Sequence, residues 1–160
     1  MSVEPASPIQ VWRDGAIEAS DLRLLAVEDY LNSNRERGTA PLLTAGDQIE
    51  TLLEGLGGDL SSVHVIALDF PSFADGRSYS KAQLLRDAHG YGGEIRAVGD
   101  VLPDQIELML RVGFDALEAS HPVTRKRLQA LCVSGERHMQ IATVAKDETP
   151  AGRFSWRRVG

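Results

Sequence analysis

The sequence predicts an α/β protein: a single domain built on a mainly parallel sheet of about four strands, with helices packed on it and an N-terminal β-hairpin alongside. Three observations predict it. Short runs rich in β-branched and aromatic residues alternate with segments whose apolar residues recur at helical spacing. The order strand, helix repeats about four times, which favours parallel strands joined by right-handed crossovers. A chain of 160 residues buries one substantial core but not two independent ones.

Each element has a local reason. Ile9 to Trp12 reads as a strand ending in the Asp14-Gly15 turn, and Asp21 to Tyr30 as either the second arm of that hairpin or a helix. Asn32 to Thr39 is a polar loop. Pro41 to Ala45 forms a strand, after which Asp47 and Glu50 cap a helix whose Ile49, Leu52, Leu53 and Leu56 share one face, and Gly57-Gly58 ends it. The clearest strand is Val63 to Phe70, VHVIALDF. Ser80 and Gln83 stand at capping-box spacing before a helix reaching Ala88, with Gly90 as its stop. Glu94 to Asp100 is the next strand, and Pro103 opens a helix to Val112. Ala116 to Ala119 is a short strand, and Ser120 with Pro122 starts a helix reaching about Ser134. The domain is placed at residues 1–145, and residues 146–160 form a C-terminal tail that Phe154 and Trp156 can anchor.

Composition narrows the function. Seventeen basic against twenty-three acidic residues give a net charge of −6, which disfavours binding to a phosphate backbone, so nucleic acid is not an expected partner. No apolar run reaches the length of a membrane span, and the N-terminus has no secretory pattern, so a cytoplasmic location is expected. The single cysteine, Cys132, rules out an internal disulfide and cannot alone build a thiolate site; beside Leu128 and Leu131 it reads as a small core residue. His64, His89, His121 and His138 share no ligand spacing; His89 precedes a helix stop and His121 follows a cap, so both have local explanations. Neither a nucleophile elbow, a P-loop nor a dinucleotide fingerprint is present, and Gly90-Tyr91-Gly92-Gly93 precedes a strand, as a cap and turn would. No cofactor can be assigned, and no metal is expected, since Asp69, Asp75 and Asp100 lack the spacing of a calcium loop.

Chemistry is expected beyond the carboxyl ends of the strands, where loops lead into helix N-termini. Asp69 ends one strand and Asp100 the next, and Arg96 lies inside the second. A buried guanidinium needs a carboxylate or an anionic ligand, and Asp69 or Asp100 is the expected partner. The set Asp69, Asp100 and Arg96 is therefore either a structural ion pair or a catalytic group. Asp75, Gly76, Arg77, Ser78, Tyr79 and Ser80 on the intervening loop, with Gly99, are the candidate ligand contacts. Arg77 before a helix N-terminus suits a small oxyanion, or else pairs with Asp75.

The stretch Phe73 to Glu118, FADGRSYSKAQLLRDAHGYGGEIRAVGDVLPDQIELMLRVGFDALE, resembles the bacterial family catalogued as domain of unknown function 934. The match takes in ALDFPSF upstream and weakens toward both ends. The resemblance implies a link to assimilatory sulfur metabolism, since members are described as oxidoreductases of sulfite reduction and are encoded near a sulfite or nitrite reductase haemoprotein. Its pattern falls on Asp69, Asp75, Gly76, Arg77, Tyr79, Ser80, Arg86, Arg96, Gly99, Asp100 and Asp115, among others. Many members carry cysteine where this chain has Val112, so a thiol there is not essential to it. Three functions follow: an accessory or oxyanion-binding component acting with a sulfite reductase haemoprotein, an oxidoreductase with an unmotifed flavin or nicotinamide pocket, or a small lyase or hydrolase using the strand-end carboxylates.

Overall fold

The computed structural model describes residues 9–72 and 75–134, with side chains as far as residue 131. Phe73, His138, the tail and the Cys132 side chain lie outside what is described. The elements are β1 (Ile9–Arg13), β2 (Ala16–Ser20), β3 (Arg23–Ala26), α1 (Val27–Asn32), β4 (Thr39–Leu43), α2 (Ile49–Gly55), β5 (Val65–Phe70), α3 (Arg77–Asp87), β6 (Glu94–Gly99), a 3-10 turn (Pro103–Gln105) leading into α4 (Ile106–Val112), β7 (Ala116–Glu118) and α5 (Pro122–Ser134).

The sheet corrects the four-stranded expectation. It has seven strands in the order β2-β1-β7-β6-β5-β4-β3, curled into a half-barrel. It is mixed: β3 to β7 run parallel, while β1 pairs antiparallel with both β2 and β7. Two local misreadings account for the difference. The second arm of the hairpin is Ala16–Ser20, and the segment from Asp21 to Tyr30 divides into strand β3 and helix α1 with no turn residue between them. The hairpin also joins the sheet through β1, which lies against β7 and adds two strands at that end.

The sequential order of the parallel strands has a further consequence. Each right-handed βα step advances one strand in the same direction, so the crossovers all fall on one side, as in a β/α barrel. The core agrees: its strand residues are Trp12, Leu43, Ile66, Leu68, Phe70, Ile95, Ala97 and Leu117, all in one register set, packed on Val27, Tyr30, Ile49, Leu52, Leu85, Ile106, Met109 and Leu128 from the helices. The alternate residues, including Arg13, Asp69, Glu94 and Arg96, project from the opposite face. A doubly wound sheet has a switch point where strand order reverses; this sheet has none.

Several caps differ from the spacing rules. Helix α3 begins at Arg77 after Gly76, three residues before the expected Ser80 cap. Asp47 does not cap α2; its carboxylate accepts bonds from the Thr44 N–H and hydroxyl at 2.7 and 2.8 Å, closing the β4–α2 loop. Ser120 donates to Glu118 at 2.9 Å. Gly113, at φ 116, ends α4, a left-handed position that favours glycine.

A buried arginine locks the amino-terminal end of the sheet. Arg86, near the end of α3, donates to the carbonyls of Tyr91, Gly93 and Gly113 and to the Asp115 carboxylate, the last at 2.6 Å. Asp115 also accepts the Ile95 N–H at 2.9 Å. One guanidinium thus joins the turns entering β6 and β7, and the leucine-leucine-arginine and glycine-phenylalanine-aspartate motifs meet as a structural clamp.

Candidate functional site

The register sets the site. Ala67 lies opposite Arg96 and Asp69 opposite Val98, so Asp69 projects from the face away from the core, at the carboxyl end of β5. Burial pushes the Asp69 carboxyl above the usual carboxylate range; the Phe70 N–H opposes that shift and the nearby Asp75 charge adds to it. Gly99 makes the packing at this end feasible. At φ +89, a Cβ on it would stand 2.6 Å from the Phe70 carbonyl oxygen and 2.7 Å from Asp69 Oδ1, too close for any side chain. The Asp100 N–H donates to the Phe70 carbonyl at 2.8 Å, closing the end of β6 against β5.

Asp100 then reaches across to the next loop. Its Oδ1 lies 2.6 Å from Nε2 of His121, which follows β7 and precedes α5. The Thr124 hydroxyl, buried in α5, donates to the Val101 carbonyl at 2.6 Å and fixes the two loops together. Asp69, Gly99, Asp100 and His121 therefore form one rim along the carboxyl ends of β5, β6 and β7. Sequence reading missed His121, although it follows its strand much as Asp100 follows the one before. A carboxylate holding one imidazole nitrogen leaves the other to exchange a proton with a ligand, the arrangement of a base and its orienting group.

The loop from Asp69 to Ser80 divides into parts with different work. Asp75 holds Arg77 through three bonds, at 3.0 Å to its N–H and 3.1 and 2.8 Å to its guanidinium, while the Arg77 side chain stays 66% exposed. These bonds to Arg77 hold the Asp75 carboxyl below its usual range. Gly76 precedes α3 without a side-chain cap. The buried Ser78 hydroxyl donates to the Asp69 carbonyl at 2.6 Å and pins the start of α3 to the strand end. Tyr79 turns away from the rim: its ring packs edge-on against Phe70 at 5.1 Å, and its hydroxyl is buried with no hydrogen-bond partner among the described residues. Ser80 is exposed on α3. Lys81, also buried, donates to the Thr44 and Ala45 carbonyls at 2.5 and 3.1 Å and ties the β4–α2 loop to α3; burial lowers its pKa.

Arg96 has a carboxylate partner, but not Asp69 or Asp100. Glu94, two residues earlier on the same strand face, accepts from Arg96 at 3.0 and 2.9 Å and from Arg13 of β1 at 2.6 and 3.2 Å. Arg96 also donates to the Ser20 hydroxyl at 2.8 Å, and Arg13 to Glu18 at 3.1 Å. Arg96 is 4% exposed and Glu94 7%. The group bonds the hairpin to the sheet and commits the guanidinium away from the rim. Among the described residues no cluster of three or more histidine, cysteine or acidic side chains is placed to hold a metal ion. No helix among them is long and apolar enough to cross a membrane.

Fold and rim together define a sequentially wound α/β half-barrel with helices on its apolar face and an acid–imidazole cluster at its strand ends. The chain belongs to the family described as bacterial protein of unknown function (DUF934), whose model matches residues 43–149. That span contains the clamp, the rim, Arg96 and Glu94. No curated protein and no solved structure gives a significant match.

Proposed function

We propose that the protein serves assimilatory sulfite and sulfate reduction as an accessory component that handles a small oxyanion and acts with a sulfite reductase haemoprotein, working through the rim of Asp69, Asp100 and His121. The observation that carries the reading is the packing of a carboxyl pushed toward its protonated form against the backbone next to an Asp–His pair. Such a rim offers hydrogen-bond donors to oxyanion oxygens and acceptors for their protons, as a ligand that changes protonation requires. Arg77 adds a cation at the edge, although Asp75 shares its charge. The family resemblance of the surrounding motifs supplies the metabolic context.

Deleting the gene from its host is expected to abolish growth on sulfate or sulfite and to leave growth on sulfide intact. Asp69→Asn and Asp100→Asn are expected to fold and to fail in complementation. A deletion strain that grows on sulfate as well as its parent would sink the proposal. The Asp100–His121 bond favours a second reading, in which a lyase or hydrolase uses His121 to move a proton. Under it, substrate turnover by the purified protein alone depends on His121.

A further inference from the structure

A cleft of about 520 Å³ lies at the opposite end of the sheet, beside edge strand β3, where Arg23 opens β3 and Thr39 opens β4. Four charged residues line it: Arg23 and Arg35, Asp29 and Glu36. Two are cations and two are anions, yet among the described residues none of the four forms an ion pair. Where one partner is part-buried, opposite charges near the surface do pair, as Arg13 does with Glu18 and Asp75 with Arg77. The backbone spreads them over three supports. Asp29 belongs to the first turn of α1, Arg23 to β3, and Arg35 and Glu36 to the loop between α1 and β4.

Arg35 is held in the left-handed region at φ 49, where a non-glycine residue is strained. The Ser33 hydroxyl fixes that turn, accepting the Arg35 N–H at 3.1 Å while donating to the Tyr30 carbonyl at 2.7 Å. A ligand with negative charge alone would meet the two guanidiniums but also two carboxylates, and a cation would meet the converse. A ligand carrying both charges apart satisfies both sets. Leu25 adds an apolar wall, and Asn32 an amide suited to a peptide or carboxyl group.

We infer that this cleft binds a zwitterion with an ammonium and a carboxylate group, of the class formed by free α-amino acids and short peptides, with Arg23 and Arg35 on the carboxylate and Asp29 and Glu36 on the ammonium. The site is distinct from the strand-end rim and does not depend on the function proposed for it. Titration calorimetry on the full chain tests it, with free amino acids of each side-chain class, dipeptides, their N-acetylated and amidated forms, and inorganic sulfate. At least one unblocked zwitterion binds, and blocking either end weakens it about tenfold or more, as loss of a charge-assisted bond does. Stronger binding by dipeptides than by amino acids assigns the peptide source, and the reverse assigns the free amino acid. Arg35→Gly removes the guanidinium while relieving the left-handed strain, so it keeps its melting temperature and loses about tenfold in affinity. Asp29→Asn loses a comparable factor through the ammonium. Equal binding of the blocked forms, sulfate binding as tight as any zwitterion, or no binding across the panel overturns the inference.

Discussion

Removing Glu94 should cost more than removing the arginine it holds. In Glu94→Leu the Arg96 guanidinium, 4% exposed, loses both carboxylate bonds and, among the described residues, keeps the Ser20 hydroxyl. An uncompensated buried charge costs about 3–5 kcal/mol. In Arg96→Met the carboxylate keeps its two bonds from Arg13, itself part-exposed, so the loss is about 1–3 kcal/mol. For a chain of this length each kcal/mol moves the melting temperature by roughly 2–4 °C, so Glu94→Leu should fall by roughly 6–20 °C. The double variant removes both charges from the interior and should be more stable than Glu94→Leu alone by about 1–3 kcal/mol, the coupling typical of one network. Urea denaturation of the parent, both single variants and the double variant closes the cycle, provided the slopes agree. Equal losses in the two single variants, or no recovery in the double, would refute the reasoning. Arg96→Met with full stability but lost complementation would make Arg96 a ligand group.

Three further expectations are separable from that cycle. The folded-state pKa of Asp69 is raised, so its contribution to stability is present below the unfolded value of 3.8 and is lost as pH rises through the folded value; Asp69→Asn should therefore gain on the parent as pH climbs above 3.8, and chemical denaturation showing no pH dependence in the difference would count against the burial of that carboxyl. Tyr79→Phe deletes a hydroxyl buried without a partner among the described residues and should be neutral or stabilising by up to about 1–2 kcal/mol; a loss of more than about 1 kcal/mol would mean the hydroxyl has a partner. Gly99→Ala forces a Cβ to within 2.6 Å of the Phe70 carbonyl at a left-handed φ, so thermal unfolding should show a loss of about 2–4 kcal/mol; an unchanged melting temperature would contradict the close approach of β5 and β6.

The parts of the fold that were legible in the sequence are those with both a long apolar run and a turn signal. VHVIALDF and EIRAVGD have them, and they contain strands β5, which starts two residues later at Val65, and β6, which ends at Gly99. RLLA has four residues and runs straight into α1, so nothing local separates β3 from the helix. The Ser80–Gln83 spacing copies a capping box, but tertiary bonds from Ser78 to Asp69 and from Lys81 to Thr44 draw α3 into an earlier start. That Arg96 needs a carboxylate followed from electrostatics. Its identity was available too, because residues two apart on a strand share a face, and Glu94 is two before Arg96. His121 was not available, since only the order β7-β6-β5 brings the loop after β7 beside Asp100.

That order also changes what kind of anion site the rim can be. A crevice at a switch point would let helix N-termini converge on a ligand from both sides of the sheet. Here the strand ends follow one another in a line, and the positive charge along it is partly committed: Arg77 is shared with Asp75, Lys81 is held by two carbonyls, Arg96 belongs to Glu94, and Arg125 donates to the Ala119 carbonyl after β7. With Asp69 and Asp100 on the same rim, a proton held on the Asp69 carboxyl adds to any attraction for an oxyanion. Sulfate binding at the rim should therefore weaken as rising pH removes the Asp69 proton, and Asp69→Asn, which keeps a donor without titrating, should flatten that dependence. Calorimetry across pH distinguishes this from a site run by Arg77, whose charge does not change over the same range. A sulfate affinity that is independent of pH and abolished by Arg77→Ala would move the anion site from the rim back to the loop.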